Sequence, residues 1–351
     1  MLTPRLAAIP SLVRVKPGAL DRLGLYAKRQ SFSRAAVFFS KDLNETFLAR
    51  LEASLQEHGI AITEELAVCS AGYEEASERF QNLPPRIDLI IGLGGGKALD
   101  VAKYISFLAR APYFAVPTSL SNDGICSPQS SLTIGGRRRS LPSAMPMGVI
   151  IDTAVCLGAP EILWHSGIGD LVAKFTAVAD WKLAFHAAGT PVDDFAALLS
   201  DASVYQFLGR PLRDLEGTKL LGTTLLLNGI AMAICGSSRP ASGSEHLLSH
   251  ALDELSARPR LHGLQVGVAT YLISLLQGGQ NTAAIARLFE ATGFWNAIQI
   301  DPFDRAEWIE AARRAPSLKA DFHTVLNSRD CLPEITAALE NDLHLRRCFG
   351  E

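Results

Sequence analysis

The chain has 351 residues, 48% hydrophobic and 20% charged, with a formal net charge of -3 and a pI near 6.3. That is enough apolar chain for a large core divided between two domains, and its near-neutral balance provides no broad electrostatic attraction for nucleic acid or an anionic membrane. The six cysteines (Cys69, Cys126, Cys156, Cys235, Cys331 and Cys348) are scattered with no CxxC pair, which indicates neither a disulfide framework nor a thiolate zinc site and fits reduced thiols in the cytoplasm.

The start, MLTPRLAAIPSLVRV, lacks the basic, apolar and small-residue sequence of a secretory signal. The richest apolar run, Leu225 to Cys235, is broken by Asn228 and Gly229 and falls short of the roughly 18 to 20 residues of a membrane span. The chain is therefore expected to be cytoplasmic, with no membrane insertion.

Short β-rich runs alternate with helical patterns over the first ~155 residues, the signature of an α/β layer on a largely parallel sheet. Ala35 to Ser40 reads as a buried strand, Leu43 to His58 as a helix stopped by Gly59, Ile60 to Val68 as a strand, and Glu74 to Gln81 as a polar helix. The strand Ile87 to Ile91 leads into Gly92-Leu93-Gly94-Gly95-Gly96-Lys97-Ala98-Leu99-Asp100 and then a helix over Val101 to Ala109. Strand, glycine turn and helix is the context in which backbone amides and a helix N-terminus receive a pyrophosphate, although the strict GxGxxG spacing is missing.

The next strand, Tyr113 to Val116, ends in the hydroxyl-rich loop Pro117 to Gly124. A loop at a strand's carboxyl end lies where open α/β sheets bind ligands, and there Asp123 would face the crevice. Ser131 to Ile134 and Gly148 to Asp152 read as further strands around a basic turn, Gly135 to Arg139.

Beyond Ala159 the pattern is helical: Gly169 to Ala188, Asp193 to Phe207, Asp214 to Cys235, Glu245 to Ala257, Gly263 to Leu276 and Asn281 to Ala291, then Arg305 to Arg314 and Pro333 to Glu340. The expected boundary falls near 153–160, giving a dinucleotide-binding α/β domain over 1–155 and a helical metal- and substrate-binding domain over 156–351.

Within the second half, ASGSEHLLSHALDELSARPRLHG puts His246 and His250 one turn apart and returns with His262. Neutral imidazoles are common metal ligands and usable proton shuttles, although pairs at this spacing also occur on ordinary helix faces. A catalytic divalent metal takes about three N or O donors and keeps one position open. Asp170, in Ser166-Gly167-Ile168-Gly169-Asp170, is the best third donor, expected to open a helix after a glycine turn.

The ordered set GLGGGKALDVAKY, VPTSLSNDGICSP, GIGDLVAKFTAVADW, GSSRPASGSEHLLSHALD and LHGLQVGV resembles the superfamily of dehydroquinate synthases and iron-type alcohol dehydrogenases, and within it the sn-glycerol-1-phosphate dehydrogenases. The resemblance runs from about residue 85 to 270 and more loosely over both ends. It implies a Rossmann-like α/β N-terminal domain, an all-α C-terminal domain, and a metal and nicotinamide site in the cleft between them.

By matching positions it implies that Gly94, Gly95, Gly96, Lys97, Ala98, Leu99, Asp100, Thr118, Ser119, Leu120, Ser121 and Ser127 hold NAD or NADP. Asp123 would contact substrate. Asp170, His246 and His262 would bind one divalent metal, with Asp170 also near substrate, and His250 would touch substrate without ligating. Related proteins make a homo-oligomer, a dimer or larger, the expectation. The family often has an acidic residue after its His-Gly pair, whereas Leu264-Gln265 follow here, which puts the support of His262 in question.

The implied activity is reversible reduction of dihydroxyacetone phosphate to sn-glycerol 1-phosphate, a step of phospholipid biosynthesis. Zinc is the default metal for an Asp/His/His site, and nickel or iron fits the same donors. Arg239 is a candidate for the phosphate, with Arg137 to Arg139 weaker ones. Ser40-Lys41-Asp42, after the first predicted strand, leaves NAD and NADP both open. Two rivals are a dehydrogenase of glycerol or another small polyol, and a dehydroquinate-synthase-like sugar phosphate cyclase. Asp170 in place of the cyclases' usual Glu, with Lys174 the local lysine, argues against the latter.

Overall fold

The computed structural model describes residues 7–350. The described residues divide into two compact units, the chain up to Ala159 with Asp214–Ala233, and Pro160–Arg213 with the chain from Ile234 onward.

In the first unit, six parallel strands form one sheet: β1 (Leu12–Lys16), β2 (Arg34–Ser40), β3 (Ala61–Val68), β4 (Leu89–Gly94), β5 (Tyr113–Pro117) and, after a separate hairpin, β8 (Gly148–Asp152), in the order β1-β8-β5-β4-β2-β3. Strands β4, β5 and β8 are buried along their whole length, as expected for parallel strands covered on both faces. The connecting helices are α1 (Leu23–Arg29), α2 (Glu45–Glu57), α3 (Tyr73–Gln81), α4 (Gly96–Ala109) and the short α5 (Thr153–Leu157). One core joins Val37, Ile91, Leu93, Val116 and Ile150 of the sheet to Leu51 and Leu55 of α2.

The remaining strands, β6 (Gln129–Ile134) and β7 (Arg137–Pro142), form a two-stranded antiparallel hairpin. Arg137 to Arg139, expected in a turn, are exposed residues of β7, and the turn itself is Gly135-Gly136, both with positive φ. Strand β1 and helix α1 have no counterpart in the sequence reading. LVRVK is too short to set its alternation apart, and it becomes a strand by adding to the free side of β8.

The second unit is built from α6 (Glu161–Ala188), α7 (Asp194–Leu208), α9 (Ser244–Leu255), α10 (His262–Leu276), α11 (Thr282–Ala291), α12 (Phe294–Ile300), α13 (Arg305–Arg314), α14 (Val325–Ser328) and α15 (Leu332–Asn341). The intervening α8 (Leu215–Cys235) belongs, up to Ala233, to the first unit although it follows two helices of the second. Asn228 and Gly229 do not interrupt it. At 21 residues it is long and apolar enough to span a membrane by length and composition, but most of it is buried inside the protein.

Helix α6 also departs from expectation. It runs 28 residues straight through Gly167 and Gly169, so Asp170 lies in mid-helix and does not open it. The two glycines are packing residues. A Cβ on Gly169 would stand 1.9 Å from the Gly263 carbonyl oxygen, and one on Gly263 would stand 1.8 Å from the Ser166 carbonyl oxygen. Helices α6 and α10 therefore touch backbone to backbone.

Candidate active site

At the carboxyl end of β4, Gly94 has φ +134°, a region that L side chains avoid, and a Cβ there would meet the Ser40 Oγ at 2.2 Å. Gly95 donates its N–H to that same Ser40 hydroxyl at 3.0 Å, and α4 starts one residue later. The glycines thus let the end of β2 brace the loop while the first amides of α4 remain available to an anion. The next chain end is tied to the same loop, with Thr118 N donating to Gly94 O at 3.0 Å.

The predicted cofactor residues divide by exposure. Lys97 is exposed, and Gly95, Gly96, Thr118 and Ser121 are partly so. Gly94, Ala98, Leu99, Ser119, Leu120 and Ser127 are buried. The Ser127 hydroxyl donates to Gln129 O at 3.0 Å, and the Asp100 carboxylate lies 3.2 Å from the ammonium of Lys103. Lys103, fully buried, also donates to Gly124 O and Gln129 O at 2.7 Å each. Its role is to hold the loop carrying Asp123, which opens a short 3-10 turn capped by Asn122. Lys41 and Asp42 both remain exposed beyond Ser40.

In the second unit, the close contact of α6 and α10 brings together the residues beside each glycine. Asp170 follows Gly169 and His262 precedes Gly263, while His246 arrives on α9. From Asp170 Oδ1 it is 3.4 Å to His246 Nε2 and 3.9 Å to His262 Nε2, and one donor atom from each residue lies within 4.8 Å of the others. Donors about 2.0–2.1 Å from a tetrahedral zinc are about 3.3 Å apart, so these three fit one ion after small adjustments.

The outer face of each imidazole fits as well. His246 Nδ1 lies 2.9 Å from Glu245 Oε1, and His262 Nδ1 lies 3.2 Å from Ser249 Oγ, so in both rings Nε2 is the nitrogen turned toward Asp170. Glu245 is fully buried and also accepts from Thr176 Oγ1 at 2.8 Å and Gly243 N at 2.5 Å. The question raised by Leu264-Gln265 has a structural answer. Gln265 Nε2 donates to Ser249 Oγ at 3.0 Å and Asp253 Oδ1 at 3.0 Å, while its carbonyl accepts Arg260 N at 2.9 Å. A neutral amide thereby orients the serine that meets His262.

Burial opposes ionisation of Asp170, but Lys174, His246 and His262 outweigh it and hold its carboxyl well below the usual range. Lys174 Nζ is 3.7 Å from Asp170 Oδ2 and donates to the Asp170 carbonyl at 2.8 Å. Burial likewise opposes charge on His246, yet Asp170 and Glu245 together raise it to about 9. The metal-free cluster therefore carries a proton that a cation would displace. His250 stands one turn on along α9, its ring centroid 6.4 Å from that of His246 and 6.0 Å from that of His262.

Sequence reasoning missed Glu245, Thr176 and Ser249. A carboxylate immediately before a histidine points to a different helix face in a regular helix, whereas here Glu245 folds back at the helix start to meet both Gly243 N and the His246 ring. Asp180, also missed, is a buried hub that accepts from Ser244 N at 2.7 Å, Val325 N at 2.9 Å and Gln277 Nε2 at 2.9 Å.

Comparison with known proteins adds the family. A model described as iron-containing alcohol dehydrogenase matches residues 14–160. The chain is 36% identical over 339 residues to a glycerol-1-phosphate dehydrogenase [NAD(P)+] of Aeropyrum pernix, covering 94% of this chain and 96% of that one. This chain belongs to the glycerol-1-phosphate dehydrogenase family. A second member, from Methanothermobacter thermautotrophicus, is 33% identical over 348 residues, covering 96% of this chain and 98% of its own. Among solved structures, a probable glycerol dehydrogenase of Sinorhizobium meliloti aligns with a TM-score of 0.77 at 19% identity, covering 96% and 99% of the two chains. A sulfoacetaldehyde reductase of Bifidobacterium kashiwanohense in complex with NAD+ aligns at 0.71 and 16% identity, covering 97% and 100%. Those two likenesses establish the fold that the sequence led us to expect, a parallel α/β sheet followed by a helical region.

Proposed function

We propose that this chain reduces dihydroxyacetone phosphate to sn-glycerol 1-phosphate, reversibly, with NADH or NADPH as hydride donor. The observation that carries the chemistry is the convergence of Asp170, His246 and His262 on one point, each imidazole backed by its own hydrogen-bond partner. The substrate comes from the names of relatives that match almost the whole chain.

In this reading Asp170, His246 and His262 hold a divalent metal, zinc by default and nickel or iron as alternatives. When bound, that ion supplies electrophilic activation of the substrate carbonyl oxygen. Glu245 and Ser249 fix the ring orientations beforehand, which limits reorganisation when charge develops on that oxygen. His250 faces the substrate and gives the new hydroxyl its proton, directly or through a water it orders. Asp123 contacts the substrate. The amides after Gly94, with Thr118 to Ser121, bind the dinucleotide, and Lys97 adds a phosphate contact. The first unit is thus the dinucleotide-binding part and the second the metal- and substrate-binding part, in a cytoplasmic homo-oligomer.

The test is oxidation of NADH and of NADPH with dihydroxyacetone phosphate against dihydroxyacetone, with added zinc, nickel or chelator. Metal-dependent turnover that strongly favours the phosphorylated ketone supports the proposal. Preference for dihydroxyacetone or glycerol transfers the assignment to a polyol dehydrogenase.

A further inference from the structure

Arg239 and Lys319 come together on one aromatic ring. The Arg239 guanidinium carbon lies 3.6 Å from the centroid of Phe322, and the Lys319 ammonium lies 3.9 Å from the same centroid. Arg239 is only 4% exposed, whereas Lys319 is exposed. Neither has a carboxylate within 4.0 Å among the described residues. Arg239 Nη1 donates to the His323 carbonyl at 2.6 Å and Lys319 Nζ reaches Ser238 Oγ at 3.4 Å. Burial lowers the pKa of Arg239, which only the Asp180 charge favours, while enclosure of the Lys319 ammonium against Phe322 and the nearby Arg239 charge lower that of Lys319. Two cations that share one aromatic ring, with no carboxylate beside either, favour an anionic ligand.

Their position is fixed to the same framework as the candidate metal ligands. Two residues after Arg239, the Ala241 carbonyl accepts from Lys174 Nζ at 3.4 Å, and that ammonium stands beside Asp170. The segment carrying Lys319 and Phe322 is held by Val325 N donating to Asp180, which also receives Ser244 N at the start of α9. The carbonyl and the phosphate of a triose phosphate are a few bonds apart, so its two recognition elements must be set close together on a rigid support.

We propose that Arg239 and Lys319 form the seat of the substrate's phosphate dianion, the guanidinium supplying paired donors and the ammonium a mobile second charge. The role of this seat in turnover rests on the dihydroxyacetone phosphate reading, while its capacity to bind a phosphate does not. Phe322 positions both cations by cation–π contact.

The experiment uses the metal-loaded full chain and the variants Arg239→Gln and Lys319→Gln. A lost charged hydrogen bond corresponds to about ten- to hundredfold in binding. The KM for dihydroxyacetone phosphate is expected to rise by that factor in each variant, with kcat/KM for dihydroxyacetone changed less than about twofold. Lys319→Gln alters an exposed side chain and carries the test alone if Arg239→Gln does not fold. Calorimetric binding of inorganic phosphate is measured in parallel. If wild-type protein does not reduce dihydroxyacetone phosphate, the proposed function falls, and phosphate binding alone then decides the seat. Weaker phosphate binding in the variants supports it. Unchanged phosphate binding, or an unchanged KM for dihydroxyacetone phosphate in an active wild-type background, overturns it.

Discussion

Gly169 and Gly263 are in backbone contact, and each is the chain neighbour of a candidate metal ligand, Asp170 and His262. Any side chain there would force α6 and α10 apart, because the obstruction is a carbonyl oxygen and not the end of a flexible side chain. Gly169→Ala or Gly263→Ala is therefore expected to cost at least about 3 kcal/mol and to weaken metal binding. Gly158→Ala, where the nearest atom to a new Cβ is 3.5 Å away, is the control. Thermal unfolding and metal content of the three variants check this, and normal metal binding by Gly169→Ala would contradict it.

Glu245 is expected to set the basicity and aim of His246 without touching substrate. Glu245→Ala should weaken metal binding by about ten- to hundredfold, and Glu245→Gln, which keeps an acceptor but loses the charge, should weaken it less. Chelator competition measures both. Equal, unimpaired affinity in the two variants would reduce Glu245 to a packing residue.

Much of this site is legible in sequence because it depends on local pattern. The glycine turn after β4 and the histidine spacing on α9 are short-range features. What is not legible depends on meeting partners distant in the chain. Gly169 looks like a helix breaker until Gly263 is placed against it, and β1 is an unremarkable pentapeptide until β8 gives it a ladder. Helix α8 returns to the first unit, a matter of topology that its composition does not encode. Gln265 looks like a defect in a family pattern and proves to be a neutral way of holding Ser249.

Asp180 gives a pH dependence of unusual sign. Burial first, and then the nearby Glu245, raise its pKa to about 6 despite donors from Ser244 and Val325. A carboxyl whose folded pKa exceeds its unfolded value of 3.8 adds stability that is complete below that unfolded value and is lost as pH rises through about 6. Relative to Asp180→Asn, the metal-free wild type should therefore lose up to about 3 kcal/mol between pH 4 and pH 7. Melting temperatures of both proteins across that range read the difference, and a gap that widens in favour of wild type with rising pH would contradict it.

His246 makes metal binding compete with a proton. Its pKa near 9 in the metal-free protein means that a cation entering at neutral pH displaces a proton, so affinity should climb as pH rises toward about 9. Calorimetry in buffers of different ionisation enthalpy counts that proton, and a buffer-independent heat would count against it.

The central claim is that Asp170, His246 and His262 hold one ion on which turnover depends, while His250 serves the substrate. Metal content by mass spectrometry, paired with cofactor-linked turnover of dihydroxyacetone phosphate, tests it on His246→Ala, His262→Ala, Asp170→Asn and His250→Ala. Wild type should carry about one equivalent of metal. The first three variants should lose metal and activity together, and His250→Ala should keep most of its metal while turnover falls by about 10²- to 10⁴-fold. A His246→Ala protein with full metal and full turnover would contradict the account.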